Sequence, residues 1–259
     1  MEYRDIIITP SQNNVQIDDG NVRKVWSSFY EETSLEYKDV VKMCTKNDKR
    51  FVGYKREQYF DNATYAKRLI VSFDTLLFEA NHRAQEKGTM AYVYVVGIGL
   101  GVWRVAKHQL RVFADVFAER ISVLGAKLLH ISDVHLAYIP GVQVCGEYKD
   151  DDVIPIVDHP TGITVHISNR EPFVKLSDPD KLLVVSYAAD ANSLPGNEFW
   201  VGCLTNSSDS TTASSTQISE LHNPHINPRV DAGNLMVVTC AGLLVPVQAY
   251  VTDIKEKSK

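Results

Sequence analysis

Clusters of basic residues are missing from this chain, which carries 27 Lys and Arg against 32 Asp and Glu, a formal net charge of −5. A protein that follows a nucleic-acid backbone needs such clusters to displace counterions. Long apolar runs are missing too, because Gly, Thr, Pro and Gln interrupt 91–103 and 235–251, and both are shorter than the roughly 20 residues that span a bilayer. We therefore expect neither nucleic acid nor a membrane as a partner.

Paired cysteines and a secretory leader are also missing. The four cysteines lie far apart without a Cys-x-x-Cys pair, so neither a disulfide framework nor a zinc ribbon is indicated. The apolar run at 6–8 is too short for the core of a signal peptide. These absences predict a reducing, cytoplasmic location.

A glycine-rich loop is the most informative feature that is present. The apolar run 92–96 leads directly into 97–101, which reads Gly-Ile-Gly-Leu-Gly. Glycine lets backbone N–H groups approach an anion without a Cβ in the way, and the helix predicted over 106–124 adds its N-terminal dipole. The pattern predicts a phosphate-binding loop with the contact residues Gly97, Gly99, Leu100, Gly101, Val102 and Trp103.

A dinucleotide redox cofactor is a poor match to this loop. The dinucleotide fingerprint is Gly-x-Gly-x-x-Gly, and Val102 stands where its third glycine would fall. The fingerprint also needs an acidic residue at the end of a second strand about 20 residues on, where this chain has the predicted helix. We therefore expect no nicotinamide cofactor.

Hydrophobic periodicity divides the rest of the chain into alternating helices and strands. Helices are predicted from Asn62 to about Glu86 and over 106–124, and strands at 91–97, 127–138, 163–167, 182–187, 235–240 and 243–251. The segment 145–160 is predicted to be a solvated loop. Residues 1–60 lack sustained periodicity, so we expect an irregular extension with one or two short helices, packed on a domain over 61–259. The alternation predicts an α/β fold whose mixed central sheet has helices on both faces.

A second motif allows a different chemistry. Residues 128–135, Leu-Leu-His-Ile-Ser-Asp-Val-His, resemble the opening motif of calcineurin-like metallophosphoesterases, in which Asp-x-His at a strand end holds a metal. Asp133 and His135 would point the same way from a strand. The later Gly-Asp, Gly-Asn-His and Gly-His-x-His elements of that family are missing. The alternative is that both residues form a polar strand end, hydrogen-bonded to their neighbours.

Three segments resemble parts of a macrodomain, the α/β module that binds ADP-ribose. Residues 183–198 resemble the family's strand and Asn-Ala-Ala-Asn-x-x-Leu-x-Gly-Gly-Gly loop, and 235–246 resemble the strand that follows it. Residues 92–103 resemble the second phosphate loop, which comes last in an ordinary macrodomain and first here. The resemblance therefore implies a three-layer macrodomain-like fold with circularly permuted strand order. Permutation costs little when chain termini lie close together.

A narrower resemblance points to the substrate. The segments 96–103, 190–200 and 220–224 are together similar to a diverged macrodomain group, the MavL-type ADP-ribosyl-ubiquitin hydrolases. This resemblance implies removal of mono-ADP-ribose from a modified protein side chain. Arginine is the expected linkage, and ubiquitin is a candidate for the modified protein. ADP-ribose would lie between the 97–103 and 188–200 loops, and the reaction would use no cofactor and no metal.

Breaking the glycosidic bond to ADP-ribose requires a carboxylate and an activated water. Asp190 and Glu198 are the predicted catalytic pair, with further predicted ligand contacts from Asn192, Asn197 and Asp209. A reader that binds ADP-ribose without turnover would need neither carboxylate. A third alternative is that 192–196 form only a turn, with Asp190 and Asn192 bonded to nearby N–H groups.

Overall fold

The computed structural model describes residues 6–10, 27–33, 35–45, 49–101, 104–186, 236–239 and 241–257. Its strands are β1 (Ile7–Ile8), β2 (Phe51–Lys55), β3 (Gln58–Asp61), β4 (Ala91–Val96), β5 (Ile131–Ala137), β6 (Val153–Ile154), β7 (Ile163–Ser168), β8 (Leu182–Val185), β9 (Met236–Val238) and β10 (Leu244–Pro246). Its helices are α1 (Tyr37–Thr45), α2 (Asn62–Glu86), α3 (Gln109–Leu124) and α4 (Val247–Lys257). None of these helices combines the length and the apolar character needed to cross a membrane.

The central sheet is mixed, as predicted, with the strand order β6-β7-β5-β4-β8. Strand β4 pairs in parallel with both β5 and β8, and β5 pairs in parallel with β7. Only the short strand β6 is antiparallel to its neighbour within this described sheet. Because parallel strands end at the same edge, the segments that follow β4, β5, β7 and β8 all start there.

One face of the sheet is apolar and packs against α2 and α3. Alternate residues of β4 and β5 point to this face, and they join both helices in one buried cluster. Its centre is aromatic: the Phe73 ring of α2 lies 4.9 Å from Phe113 and 5.0 Å from Phe117 of α3, edge to face in both cases. Each fully buried Phe contributes roughly 1.5–3 kcal/mol through its removal from water. Both long described helices therefore cover the same side, and helices over the opposite face stay a prediction.

Helix α2 begins and ends where the sequence predicts. Asp61 caps it, because its carboxylate accepts the N–H groups of Ala63 and Thr64 at 3.1 and 3.3 Å. The same carboxylate accepts two hydrogen bonds from the Arg50 guanidinium, at 3.0 and 2.8 Å. Asp61 thus joins the start of α2 to the preceding β-structure.

In the described part of the segment before residue 60, the predicted short helix is present as α1, but the prediction of otherwise irregular structure is wrong. Strands β1, β3 and β2 form an antiparallel sheet, and β3 runs directly into α2. The turn between β2 and β3 contains Glu57 at φ 57°, a conformation more typical of Gly or Asn. Ile6 and Phe60 are fully buried in the main core cluster. The extension packs on the core, and its treatment as a separate unit over 1–60 stays a prediction.

Two further predictions need correction. The predicted strand over 243–251 ends at Pro246, and α4 follows it at once. The apolar run beyond Pro246 fits a helix as well as a strand, so the pattern alone could not separate them. The predicted loop 145–160 contains β6, and both Cys145 and Ile154 are buried. It is partly structural instead of fully solvated.

Candidate functional site

The glycine loop leaves the end of β4 through a tight turn. Leu100 donates its N–H to the Gly97 carbonyl at 2.9 Å, and its side chain is buried. Gly99 adopts φ 76°, in the left-handed region that favours glycine. A Cβ on Gly97 would lie 3.3 Å from Ile139 Cγ1, so the backbone passes close to the segment after β5. The three glycines of the loop therefore differ in exposure, and Gly101 is the exposed one.

Two N–H groups of this loop are unpaired. Within the described ranges, neither the Gly99 nor the Gly101 N–H has a protein acceptor, whereas the neighbouring N–H groups of Ile98 and Leu100 both have one. A Cβ on Gly101 would meet no atom within 4 Å. The loop thus carries unpaired donors and is open at Gly101, as an anion-binding loop requires.

Strand β8 ends beside this loop. Ser186 donates its N–H to the Tyr94 carbonyl at 2.8 Å, and its Oγ accepts the Val96 N–H at 2.9 Å. The predicted catalytic loop begins two residues later, at 188. The two candidate loops therefore start from adjacent points on the same edge of the sheet.

Most of the predicted site residues lie outside the described residues. Gly97, Gly99, Leu100 and Gly101 are described, and the structure brings them together in one turn. The residues outside the described ranges are Val102, Trp103, Asp190, Asn192, Asn197, Glu198 and Asp209. Their roles stay predictions.

The face of the sheet opposite α2 and α3 carries a polar cluster centred on Asp133. This carboxylate is buried and accepts hydrogen bonds from His166 Nε2 at 3.0 Å, Lys181 Nζ at 2.7 Å and Ser132 Oγ at 2.5 Å. Burial alone would raise the pKa of Asp133, but these donors and the Lys181 charge lower it to about 2. Asp133 is therefore a charged group whose partners come from the protein itself.

His135 lies beside Asp133 on β5 and is also hydrogen-bonded within the protein. Its Nδ1 lies 2.7 Å from the Tyr92 hydroxyl, and its Nε2 lies 3.1 Å from the Ser168 carbonyl. The Ser168 hydroxyl also lies 3.0 Å from Nε2; a proton on Nε2 satisfies the Ser168 carbonyl, which only accepts, and in that tautomer Tyr92 donates to Nδ1. Burial lowers the pKa of His135 and raises that of Tyr92 to about 12, which keeps both groups neutral. These contacts match the hydrogen-bonded interpretation of the Asp-x-His motif.

His166 links this cluster to an acidic loop. Its Nδ1 lies 3.0 Å from Asp151 Oδ1, and its ring stacks on Tyr92 with 5.3 Å between centroids. Its hydrogen bond to Asp133 raises the pKa of His166, although burial opposes this shift. Among the described residues, Asp150, Asp151 and His166 form the one group whose ligand atoms are close enough together to hold a metal ion.

The sequence analysis identified Asp133 and His135 but missed their partners His166, Lys181 and Tyr92. The signal was available on the strands, because Tyr92 and His166 alternate with the apolar residues that face α2 and α3. Lys181 carried no such signal, since it lies in the segment before β8.

These observations define a class of protein: an α/β protein with unpaired backbone donors at the carboxyl edge of its sheet. The family model for MavL-like ADP-ribosylhydrolases matches residues 1–253, and the chain belongs to this family.

Two relatives from Drosophila melanogaster match nearly the whole chain. The ADP-ribosylarginine hydrolase CG2909 is 40% identical over 257 residues, covering 92% of this chain and 50% of the relative. The ADP-ribosylarginine hydrolase CG3568 is 40% identical over 267 residues, covering 96% of this chain and 51% of the relative. The chain thus spans about half the length of these curated relatives.

Proposed function

We propose that this chain hydrolyses the bond between ADP-ribose and an arginine side chain of a modified protein. Membership of the MavL-like ADP-ribosylhydrolase family and 40% identity to two ADP-ribosylarginine hydrolases support this activity. Arginine-modified ubiquitin is the first protein substrate that we would test, because the narrower sequence resemblance points to it.

The hydrogen bond between Val96 and Ser186 is the observation that carries the proposal. It holds the end of β4 against the end of β8 at 2.9 Å. The glycine loop follows the first strand, and the segment with both predicted catalytic carboxylates follows the second. In sheets with parallel strands, ligands bind at this edge. The diphosphate of ADP-ribose would accept the free N–H groups of Gly99 and Gly101, and its distal ribose would extend toward the 188–200 loop.

In the proposed reaction, water attacks C1″ of the distal ribose as the bond from C1″ to the guanidine nitrogen breaks. Asp190 and Glu198 would share two tasks: to take a proton from the water and to supply one to the departing guanidine. The products are ADP-ribose and the protein with an unmodified arginine side chain, so atoms and protons balance without a co-reactant. Asn192 and Asn197 would hold ribose hydroxyls, and Asp209 would add negative charge that complements the guanidinium.

We further propose that the fold is macrodomain-like with permuted strand order. Two features support this proposal: the adjacent parallel strands β4 and β8, each followed by a candidate ligand loop, and the order of those loops along the chain. In this arrangement, Trp103 and Val102 would contact the distal ribose beside the glycines.

The decisive experiment is to incubate the protein with arginine-ADP-ribosylated ubiquitin and to measure released ADP-ribose by mass spectrometry. A second sample with ADP-ribose linked to serine tests the linkage. We expect release from arginine and little from serine. A parallel titration by calorimetry gives the affinity for free ADP-ribose.

Each other outcome has a distinct meaning. Binding of ADP-ribose without release from any protein would identify a reader and overturn the hydrolase proposal. Release from other arginine-modified proteins but not from ubiquitin would overturn only the choice of substrate. Loss of release on addition of a chelator would show a metal requirement, with Asp150, Asp151 and His166 as the donors to test next.

A further inference from the structure

The start of α3 contains a buried amide side chain that the proposed chemistry does not use. Gln109 is the first residue of α3 and is fully buried. Its Oε1 accepts the backbone N–H groups of Val105 and Ala106, both at 2.7 Å. One side-chain atom therefore holds two successive residues of the segment that joins the glycine loop to the helix.

These bonds fix the far end of the glycine loop. Arg104 donates its N–H to the Gly101 carbonyl at 3.0 Å, and Gln109 donates its own N–H to the Ala106 carbonyl at 3.2 Å. His108, at the N-cap position, makes no side-chain capping bond. Gln109 thus anchors residues 105 and 106, while His108 is tied to α2 by a contact of 2.9 Å between its Nε2 and Asn62 Oδ1.

The choice of an amide at this position is informative. Within the described part of the chain, the buried Nε2 of Gln109 has no acceptor, which costs folding free energy. A glutamate would offer the same acceptor without an unpaired donor, and the N-terminus of α3 would favour its charge. That charge would, however, repel an anion bound at the adjacent loop. A neutral acceptor is the choice that suits a loop that receives an anion.

We propose that Gln109 is a positioning residue for the glycine loop. It holds 104–106 so that the free N–H groups of Gly99 and Gly101 stay directed at one anion, and its neutrality preserves the affinity of the loop for that anion. The identity of the anion as the diphosphate of ADP-ribose rests on the proposed function. The geometric role of Gln109 does not.

Two variants separate these roles. Gln109→Met has a similar volume but no acceptor, and Gln109→Glu keeps the acceptor and adds a charge. Hydrogen exchange of the ligand-free protein, followed by mass spectrometry, reports on the amides of 105 and 106. We expect exchange at least tenfold faster in Gln109→Met and unchanged in Gln109→Glu. We expect ADP-ribose to bind at least tenfold more weakly to both variants.

Phe117→Leu is the matched control, because Phe117 is also fully buried on α3 but packs against Phe73 at 5.0 Å, away from the loop. It should lower stability without changing loop exchange or ADP-ribose affinity. Wild-type exchange in Gln109→Met would overturn the positioning role, and wild-type affinity in Gln109→Glu would overturn the need for neutrality. If Gln109→Met does not fold, the affinity of Gln109→Glu decides. If the wild-type protein binds no ADP-ribose, the proposed function fails and exchange alone decides the role of Gln109.

Discussion

Ser186 Oγ accepts the Val96 N–H at 2.9 Å, and this bond joins the ends of the two strands that precede the loops proposed to hold ADP-ribose. Ser186→Ala removes the acceptor, so we expect the free energy of unfolding to fall by about 1 kcal/mol. Small displacements of reacting groups are costly, so kcat/KM for ADP-ribose release should fall roughly tenfold or more. Ser122→Ala, which removes a bond to a carbonyl within α3, should leave kcat/KM unchanged. Equal kinetics for both variants would show that this bond does not set the site geometry.

Gly101 offers a test of the anion loop that is separate from folding. An added Cβ would meet no atom within 4 Å, so Gly101→Ala should unfold within about 1 kcal/mol of the wild type. The methyl group would stand on the side from which an anion reaches the loop, and we expect ADP-ribose to bind about tenfold more weakly, roughly 1.4 kcal/mol. Gly53→Ala is the matched control, since its Cβ also meets nothing within 4 Å. Calorimetric titration measures the affinity of both variants for ADP-ribose. An unchanged affinity in Gly101→Ala would mean that the anion binds elsewhere.

The predicted catalytic carboxylates should separate turnover from binding. Asp190→Ala and Glu198→Ala remove groups that act on protons in the transition state, so kcat should fall by about 10²–10⁴-fold. The affinity for free ADP-ribose should change by much less, because the diphosphate contacts are on the other loop. Single-turnover release from arginine-modified ubiquitin, combined with calorimetry, measures both quantities. Full activity in both variants would mean that the acid and base are other residues.

The pair of His166 and Asp133 should make stability depend on pH. The hydrogen bond between His166 and Asp133 raises the pKa of His166 in the folded state. The pKa of Asp133 itself is lowered to about 2. A raised pKa means that protonated His166 stabilises the fold below its unfolded pKa of about 6.5, and that this contribution is lost as the pH rises through the folded pKa.

We therefore expect His166→Gln to lose more stability at about pH 5.5 than at about pH 8.5, measured by urea unfolding against the wild type at each pH. Burial lowers the pKa of His135, which has the opposite sign, but His135 is present in both proteins and largely cancels in the comparison. A loss that is equal at both pH values would show that the pKa of His166 is the same in the folded and the unfolded protein.

Asp61 tests whether the N-terminal strands and the main domain unfold together. Asp61→Ala removes the α2 cap and the two hydrogen bonds from Arg50, which keeps its ion pair with Glu32, so we expect a loss of about 3 kcal/mol. Asp61→Asn keeps a capping oxygen and should lose less. Urea unfolding followed by both fluorescence and circular dichroism should give one coincident transition for the wild type. Two separate transitions would support an independent extension over 1–60.

The sequence predicts the main elements of this fold best where several local signals agree. Helix α2 has a long helical period and Gly88 just beyond its end, and both of its predicted bounds are confirmed. The hairpin of β2 and β3 was missed because Glu57 forms its turn, where Gly or Asn would be the usual signal. Helix α4 was missed because its apolar, β-branched start also suits a strand.

The candidate site, like the fold, could be predicted only in part. The turn at the glycines could be predicted because glycine spacing directly reflects backbone requirements at Gly97 and Gly99, and its role in anion binding stays a prediction. The alternation along β7 places His166 on the polar face, but that His166 and Lys181 meet Asp133 could not be predicted, because they lie 33 and 48 residues away from it. The strand order determines which distant side chains come into contact, and this order cannot be derived from a single sequence.

The three-donor environment of Asp133 also constrains how this family can diverge. Loss of Lys181 or His166 alone leaves a buried carboxylate short of a donor, whereas simultaneous replacement of Asp133 removes the charge that needs one. Substitutions of Asp133, His166 and Lys181 should therefore appear together among relatives. In a designed library, folded variants with all three residues changed should be more frequent than folded variants with one of them changed.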